Sequence, residues 1–214
     1  MPTRPFAQLD VFTATAGLGN PVAVVLDATG LSDDAMQRFA RWTNLSETTF
    51  VLPPTDAQAD YAVRIFTPGG ELPFAGHPTL GTCFAWLAAG GQPRQPARIV
   101  QQCAKGLIPI RRDEAQGHTR LAFAAPPSQR QRVPPALLAD VAQALGLPAA
   151  QVLRAQWLDN GPQWLTLQLD SANTVLALAP QHARLAELGH KVGVLGHHAQ
   201  AGGAALIARS SREA

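Results

Sequence analysis

The chain has 214 residues, of which 46% are hydrophobic and 15% charged, a globular composition whose length suits one large domain or two small ones. Its 17 basic and 15 acidic residues leave a net charge of +2, without the clustered excess that a nucleic-acid or acidic-membrane surface requires. The longest apolar stretch, around CFAWLAA, is far too short to span a bilayer, and the opening MPTRPFAQLDVF lacks the apolar core of a signal peptide. These features predict a cytoplasmic protein, with neither nucleic acid nor membrane as a partner.

In chain order, FAQLDVF (6–12) and PVAVVL (21–26) are β-rich runs joined by the small-residue loop TATAGLGN. That loop holds a Gly-x-Gly, but no third glycine follows and a strand succeeds it, so it is not a dinucleotide fingerprint. LSDDAMQRFARW (31–42) reads as an amphipathic helix. Ser32 is its N-cap, Asp33 and Asp34 complement the positive end, and Leu31 is placed to staple onto Met36. A turn then leads to the strand TTFVL (48–52), and after a loop to YAVRIFT (61–67).

PTLGTCFAWLAA (78–89) has almost no polar face, which predicts a buried helix. Proline at the first turn would put His77 at or near the N-cap, and Gly90-Gly91 would end the helix. With strands on both sides, a central helix wrapped by curved sheet is expected. ARIVQQC (97–103), GLIPIRR (106–112) and TRLAFA (119–124) read as further strands, and PPSQRQRVPP as a proline-rich bridge. Beyond it come a helix, PALLADVAQALGL; two strands, QVLRAQWL and QWLTLQL; a helix, PQHARLAEL; and the strands KVGVLG and AALIA. A boundary within 112–133 is predicted, giving domains at residues 1–118 and 119–214 with a similar strand-helix rhythm.

Two positions could carry chemistry. A helix N-terminus attracts anions, and His77 sits there beside Gly76, which permits close backbone approach. Such a histidine could equally be a cap without a chemical role. Glu47, at the mouth of an apolar strand between Ser46 and Thr48, is placed for partial desolvation and for proton exchange near neutral pH. An ordinary strand-edge glutamate fits the same pattern. Cys83 lies more than a turn inside the helix and Cys103 in a strand, so both read as core thiols rather than an acid–base pair. No CxxC spacing occurs, and His182, His190, His197 and His198 lack the pairing of a metal site. Asp10 reads as structural.

Taken together, DVFTATAGLGNPVAVV, NLSETTFV and RIFTPGGELPFAGHPTLGT, in this order and spacing, resemble the phenazine-biosynthesis PhzF-like family. The likeness is strong over about residues 6–110 and weaker through DNGPQWLTLQL and KVGVLGHHA. It implies an α+β, diaminopimelate epimerase-like fold of two similar domains, each a central helix wrapped by mixed sheet, with a cleft between the two helix starts. It also implies a cofactor-free isomerase acting on a small carboxylate, with the residue spacing arguing separately against a metal. Glu47 would be the general acid/base and His77 would assist it, while Asn20, Ser46 and Gly76 would contact substrate. A homodimer is compatible with it.

The family pattern continues beyond AALIA with an Arg-x-Phe-x-Pro segment, a Glu-Asp pair and a Thr-Gly-Ser helix start, for which RSSREA offers no counterpart. The expectation is an incomplete second domain, in a frameshifted or truncated reading frame, with little or no isomerase activity. The other expectation left open is a non-catalytic remnant that binds a small carboxylate or a partner chain.

Overall fold

Short runs rich in valine, isoleucine and phenylalanine make strands the dominant element of the first half. The computed structural model describes residues 3–115, 118–124, 127–159, 163–198 and 205–210, and divides into two units, Met1–Ala125 and Pro126–Ala214. In the first unit the elements run β1 (Phe6–Val11), β2 (Asn20–Val25), α1 (Asp33–Thr43), β3 (Glu47–Leu52), β4 (Tyr61–Thr67), β5 (Gly70–Leu72), α2 (Gly76–Ala88), β6 (Arg98–Cys103), β7 (Gly106–Ala115) and β8 (His118–Phe123).

These strands form one mixed sheet in the order β1-β2-β3-β4-β6-β7-β8, with β5 paired to β4. Its two parallel steps, β2 to β3 and β4 to β6, are the ones bridged by helices. A parallel pair needs such a crossover because a tight turn cannot reverse the chain twice. Helix α2 packs against β1, β2 and β3 and also against β6 and β8. Strands from both ends of the sheet thus touch one helix, so the sheet curls around it. Val11, Val22, Val24, Tyr61, Ile65, Cys83, Ala85, Ile99 and Ile110 fill the space between. Helix α1 lies on the opposite face, with Met36 and Ala40 against Phe50 and Phe66. Its Ser32 cap is as expected, accepting from the Ala35 amide at 3.3 Å.

Helix α2 is buried through most of its first two turns and at Ala85, but Phe84, on its apolar surface, is 48% exposed, and the helix starts two residues earlier than expected. Ala75 is the N-cap, Gly76 the first helical residue, and Pro78 the third. Proline is accommodated there because amides of the first turn have no intrahelical acceptor to lose. His77 is therefore inside the helix and does not cap it. One glycine sets how closely α2 approaches the sheet: a Cβ on Gly81 would lie 2.5 Å from Val22 Cγ1 and 3.0 Å from Val11 Cγ2.

The second unit contains β9 (Gln129–Arg132), α3 (Pro135–Ala144), β10 (Val152–Asp159), β11 (Gln163–Leu169), α4 (Ala172–Ala177), α5 (His182–Glu187), β12 (Val192–His198) and β13 (Ala205–Ser210). The sheet order is β13-β12-β11-β10-β9, with β11 and β12 parallel. Leu165, Leu167, Leu169, Val192 and Val194 share a core with Val141, Leu145, Val175 and Leu185 from the helices. Two elements differ from expectation. The proline-rich bridge contains β9, which pairs with β10 from Gln156↔Arg132 to Asp159↔Gln129; its four residues are all exposed and polar, so no alternation announces it. Helix α4 was not anticipated, although Ser171 caps it by accepting from the Thr174 amide at 3.1 Å.

The two units share a pairing scheme down to the register. In the first, Val11 faces Asn20, Val22 faces Glu47, and Thr48 faces Phe66. In the second, Asp159 faces Gln163, Leu165 faces Val192, and Gly193 faces Ser210. Antiparallel, parallel and antiparallel pairs follow in the same sequence, with the helical crossover at the same step.

Candidate active site

Three residues far apart in sequence converge at the start of α2. Glu47 opens β3, Asn20 opens β2, and Val22↔Glu47 is the first pair of the parallel ladder between those strands. His77 comes from the first turn of α2. Its Nε2 lies 3.3 Å from Glu47 Oε2 and 3.4 Å from the Pro21 carbonyl oxygen, and its Nδ1 lies 3.2 Å from Asn20 Nδ2. The side chains of His77 and Glu47 are 9% and 17% exposed. Their mutual interaction is thus largely withdrawn from water, yet Glu47 keeps some access to it. In such a setting a carboxylate–imidazole contact is stronger than at a surface, because screening is reduced.

Buried hydroxyls fix the elements that carry the pair. Thr82 on α2 donates to Thr49 on β3 at 2.8 Å, and Thr49 donates to the Ala23 carbonyl on β2 at 3.3 Å. On the other side of β3, Thr48 meets Thr43 of α1 at 2.9 Å. The two residues after Glu47 are therefore tied to the two helices. A second chain of hydrogen bonds holds the start of α2. The Tyr61 hydroxyl donates to Gln101 Oε1 at 3.1 Å, and Gln101 Nε2 donates to Thr79 Oγ1 at 3.0 Å. Thr79 in turn donates to the carbonyl of the N-cap Ala75 at 2.9 Å. Every one of these core polar groups has a partner, as buried groups must.

Of the residues singled out from sequence, Asn20, Glu47 and His77 are brought together. Gly76 precedes His77 and faces β8, where a Cβ would meet Phe123 Cζ at 3.3 Å. Ser46 is half-buried next to Glu47, and no described hydrogen bond joins it to the cluster. Asp10 accepts from the Gly17 amide and so ties down the loop that leads into Asn20. Sequence reasoning missed Pro21, Thr49 and Thr82. Only the threonines left a signal, as hydroxyls inside otherwise apolar runs.

Cys83 is buried, and burial pushes its thiol up to about 12, against a lowering by its hydrogen bond to Tyr61. Burial also raises the Cys103 thiol. Neither has the depressed pKa of a reactive thiol. Among the described residues no group of three or more His, Cys, Asp or Glu is gathered as a metal site would need, and none of the helices is long and apolar enough to cross a membrane.

Residues 9–210 match the model of the phenazine biosynthesis-like protein family, PhzC-PhzF. The chain belongs to that family. It is 43% identical over 192 residues to antisense-enhancing sequence 1 of Schizosaccharomyces pombe, covering 88% of this chain and 65% of that protein. It is 36% identical over 186 residues to the trans-2,3-dihydro-3-hydroxyanthranilate isomerase of Pseudomonas aeruginosa, covering 85% and 63%. The chain thus spans a little under two thirds of the length of these relatives. The crystal structure of a Bacillus anthracis PhzF-family protein superimposes with a TM-score of 0.84 at 24% identity, over 98% of this chain and 72% of that one. Racemase and epimerase structures of lower identity share the fold. The α+β, diaminopimelate epimerase-like class is therefore the fold of this chain.

Proposed function

We propose that this PhzF-family chain carries the acid–base centre of a cofactor-independent isomerase that moves a proton between carbons of a small carboxylate-bearing substrate. The observation that carries the reading is the largely buried contact between Glu47 Oε2 and His77 Nε2 at 3.3 Å. Glu47 would accept a proton from one carbon and return it to another, leaving the substrate's composition unchanged. His77 would donate to the carboxylate and hold its orientation between the two transfers. The start of α2 would favour the substrate's negative charge, since a helix N-terminus carries partial positive charge. Ser46, Gly76 and Asn20 are the neighbours from which substrate contacts would come. The name of the Pseudomonas relative supports a cyclic dihydro-hydroxyanthranilate as the first substrate to try.

The test is deuterium exchange. The protein is incubated in D2O with trans-2,3-dihydro-3-hydroxyanthranilate and a panel of small unsaturated carboxylates, and carbon-bound deuterium is read by NMR. Exchange by the wild-type chain, and a loss of about 100-fold or more in Glu47→Gln with the fold intact, is the expected result. Binding without exchange on any substrate, or an unchanged rate in the variant, would overturn the catalytic reading and leave a carboxylate-binding protein.

A further inference from the structure

The two nitrogens of His77 are gripped by consecutive residues of one strand, and the geometry points to a role for Asn20 beyond substrate contact: Asn20 is a positioning residue that holds His77 as its Nε2–H tautomer, with that proton on the Pro21 carbonyl and beside Glu47. The role deepens the acid–base reading, on which its consequence for catalysis rests.

Two acceptors face Nε2. One is Glu47 Oε2, whose protonation changes during a proton transfer; the other is the Pro21 carbonyl oxygen, which can only accept. A ring nitrogen facing a fixed acceptor carries the proton, whatever the state of the carboxylate. In the neutral ring Nδ1 then keeps its lone pair, and it is met at 3.2 Å by the amide nitrogen of Asn20. Asn20 donates and Nδ1 accepts, so both ring nitrogens are satisfied without a charge.

The choice of asparagine has a chemical reason. When the ring takes up a second proton, Nδ1–H needs an acceptor, and a half-turn of the amide presents Oδ1 in place of the NH2 group. Asparagine therefore serves the neutral and the protonated ring alike. Aspartate could only accept, and would bias the ring toward the imidazolium. The local chain is shaped for this grip. A Cβ at Gly19 would come within 2.6 Å of the Val11 carbonyl and of Thr13 Cγ2, so a glycine is required for the chain to enter β2 where it does. Asn20 and Pro21 then fall on either side of the imidazole.

The test reads the ring directly and needs no turnover. Long-range 1H–15N correlation spectra of the 15N-labelled protein report which nitrogen of His77 is protonated. The wild-type neutral ring is expected as Nε2–H, and a neutral ring protonated at Nδ1 would overturn the proposal. Glu47→Gln should keep the same tautomer, because the Pro21 and Asn20 contacts survive; a switch to Nδ1–H would overturn it equally. Asn20→Asp should raise the pH at which the ring loses its second proton by about one unit or more, and a titration unchanged from wild type in a folded variant would count against it. If the spectra behave as expected while no substrate exchanges deuterium, the positioning role stands and the isomerase reading alone fails.

Discussion

The hydroxyl of Thr82 on α2 donates to the hydroxyl of Thr49 on β3 at 2.8 Å, and neither side chain reaches solvent. Thr49 lies two residues beyond Glu47 on the same face of the strand, and Thr82 lies five residues beyond His77, so the bond joins the supports of both members of the candidate pair. Thr82→Val keeps the branched shape and removes the donor. We expect a loss of about 1 kcal/mol in urea unfolding, with Thr82→Ser recovering most of it. The double variant with Thr49→Val should cost less than the sum of the singles, as residues in direct contact do.

Gly81 has no room for a methyl group against Val22 and Val11. Gly81→Ala should destabilise the first unit by about 1–3 kcal/mol, through strain where α2 rests on β2. Val22→Ala in the same chain removes the nearest obstructing carbon and should recover part of that loss. Thermal melts of the two singles and the double variant check this.

The thiol of Cys83 and the hydroxyl of Tyr61 both have pKa values raised chiefly by burial. For Cys83 the folded value is about 12, while an unfolded thiol titrates near ~8.5. The folded state therefore holds its proton longer than the unfolded one. Its stabilisation is complete below the unfolded value and is lost as pH rises through the window up to the folded one. Urea midpoints should accordingly fall between about pH 8 and about pH 11, and Cys83→Ala should flatten part of that decline.

Ser32 caps α1, accepting from the Ala35 amide, with two aspartates in the first turn. Ser32→Ala should cost about 1 kcal/mol, and Ser32→Asp should be close to neutral. Helix α1 does not touch His77 in any described hydrogen bond, so the His77 spectrum should be the same in both variants.

What the sequence shows and what it hides follow from whether the signal is local. The cap and amphipathic pattern of α1 are local, and so is the apolar character of α2; these were legible from residues 31–42 and 78–89. The start of α2 was misplaced because a proline preceded by histidine suggests a first helical position, whereas Ala75 supplies the extended cap and Pro78 falls third. Strand β9 was hidden for a different reason: Gln129 to Arg132 are exposed, and their pairing with β10 is dictated by the partner strand. At the site, Glu47 and His77 could be named from motifs. That Asn20 and Pro21 take opposite sides of the imidazole could not, because 57 and 56 positions separate them from His77 and only the curl of the sheet closes that gap.

The matching registers of the two sheets say something about how chemistry is distributed along the chain. Where β3 first pairs with β2 the residue is Glu47, and where β12 first pairs with β11 it is Val192. Asn20 likewise has Gln163 as its counterpart, each opening the strand from which the crossover departs. At this rung one copy of the pairing scheme carries a carboxyl side chain and the other a hydrophobic one. Backbone pairing repeats while the side chain at a single rung does not, so the acid–base role proposed for Glu47 has no counterpart at the matching rung of the second unit.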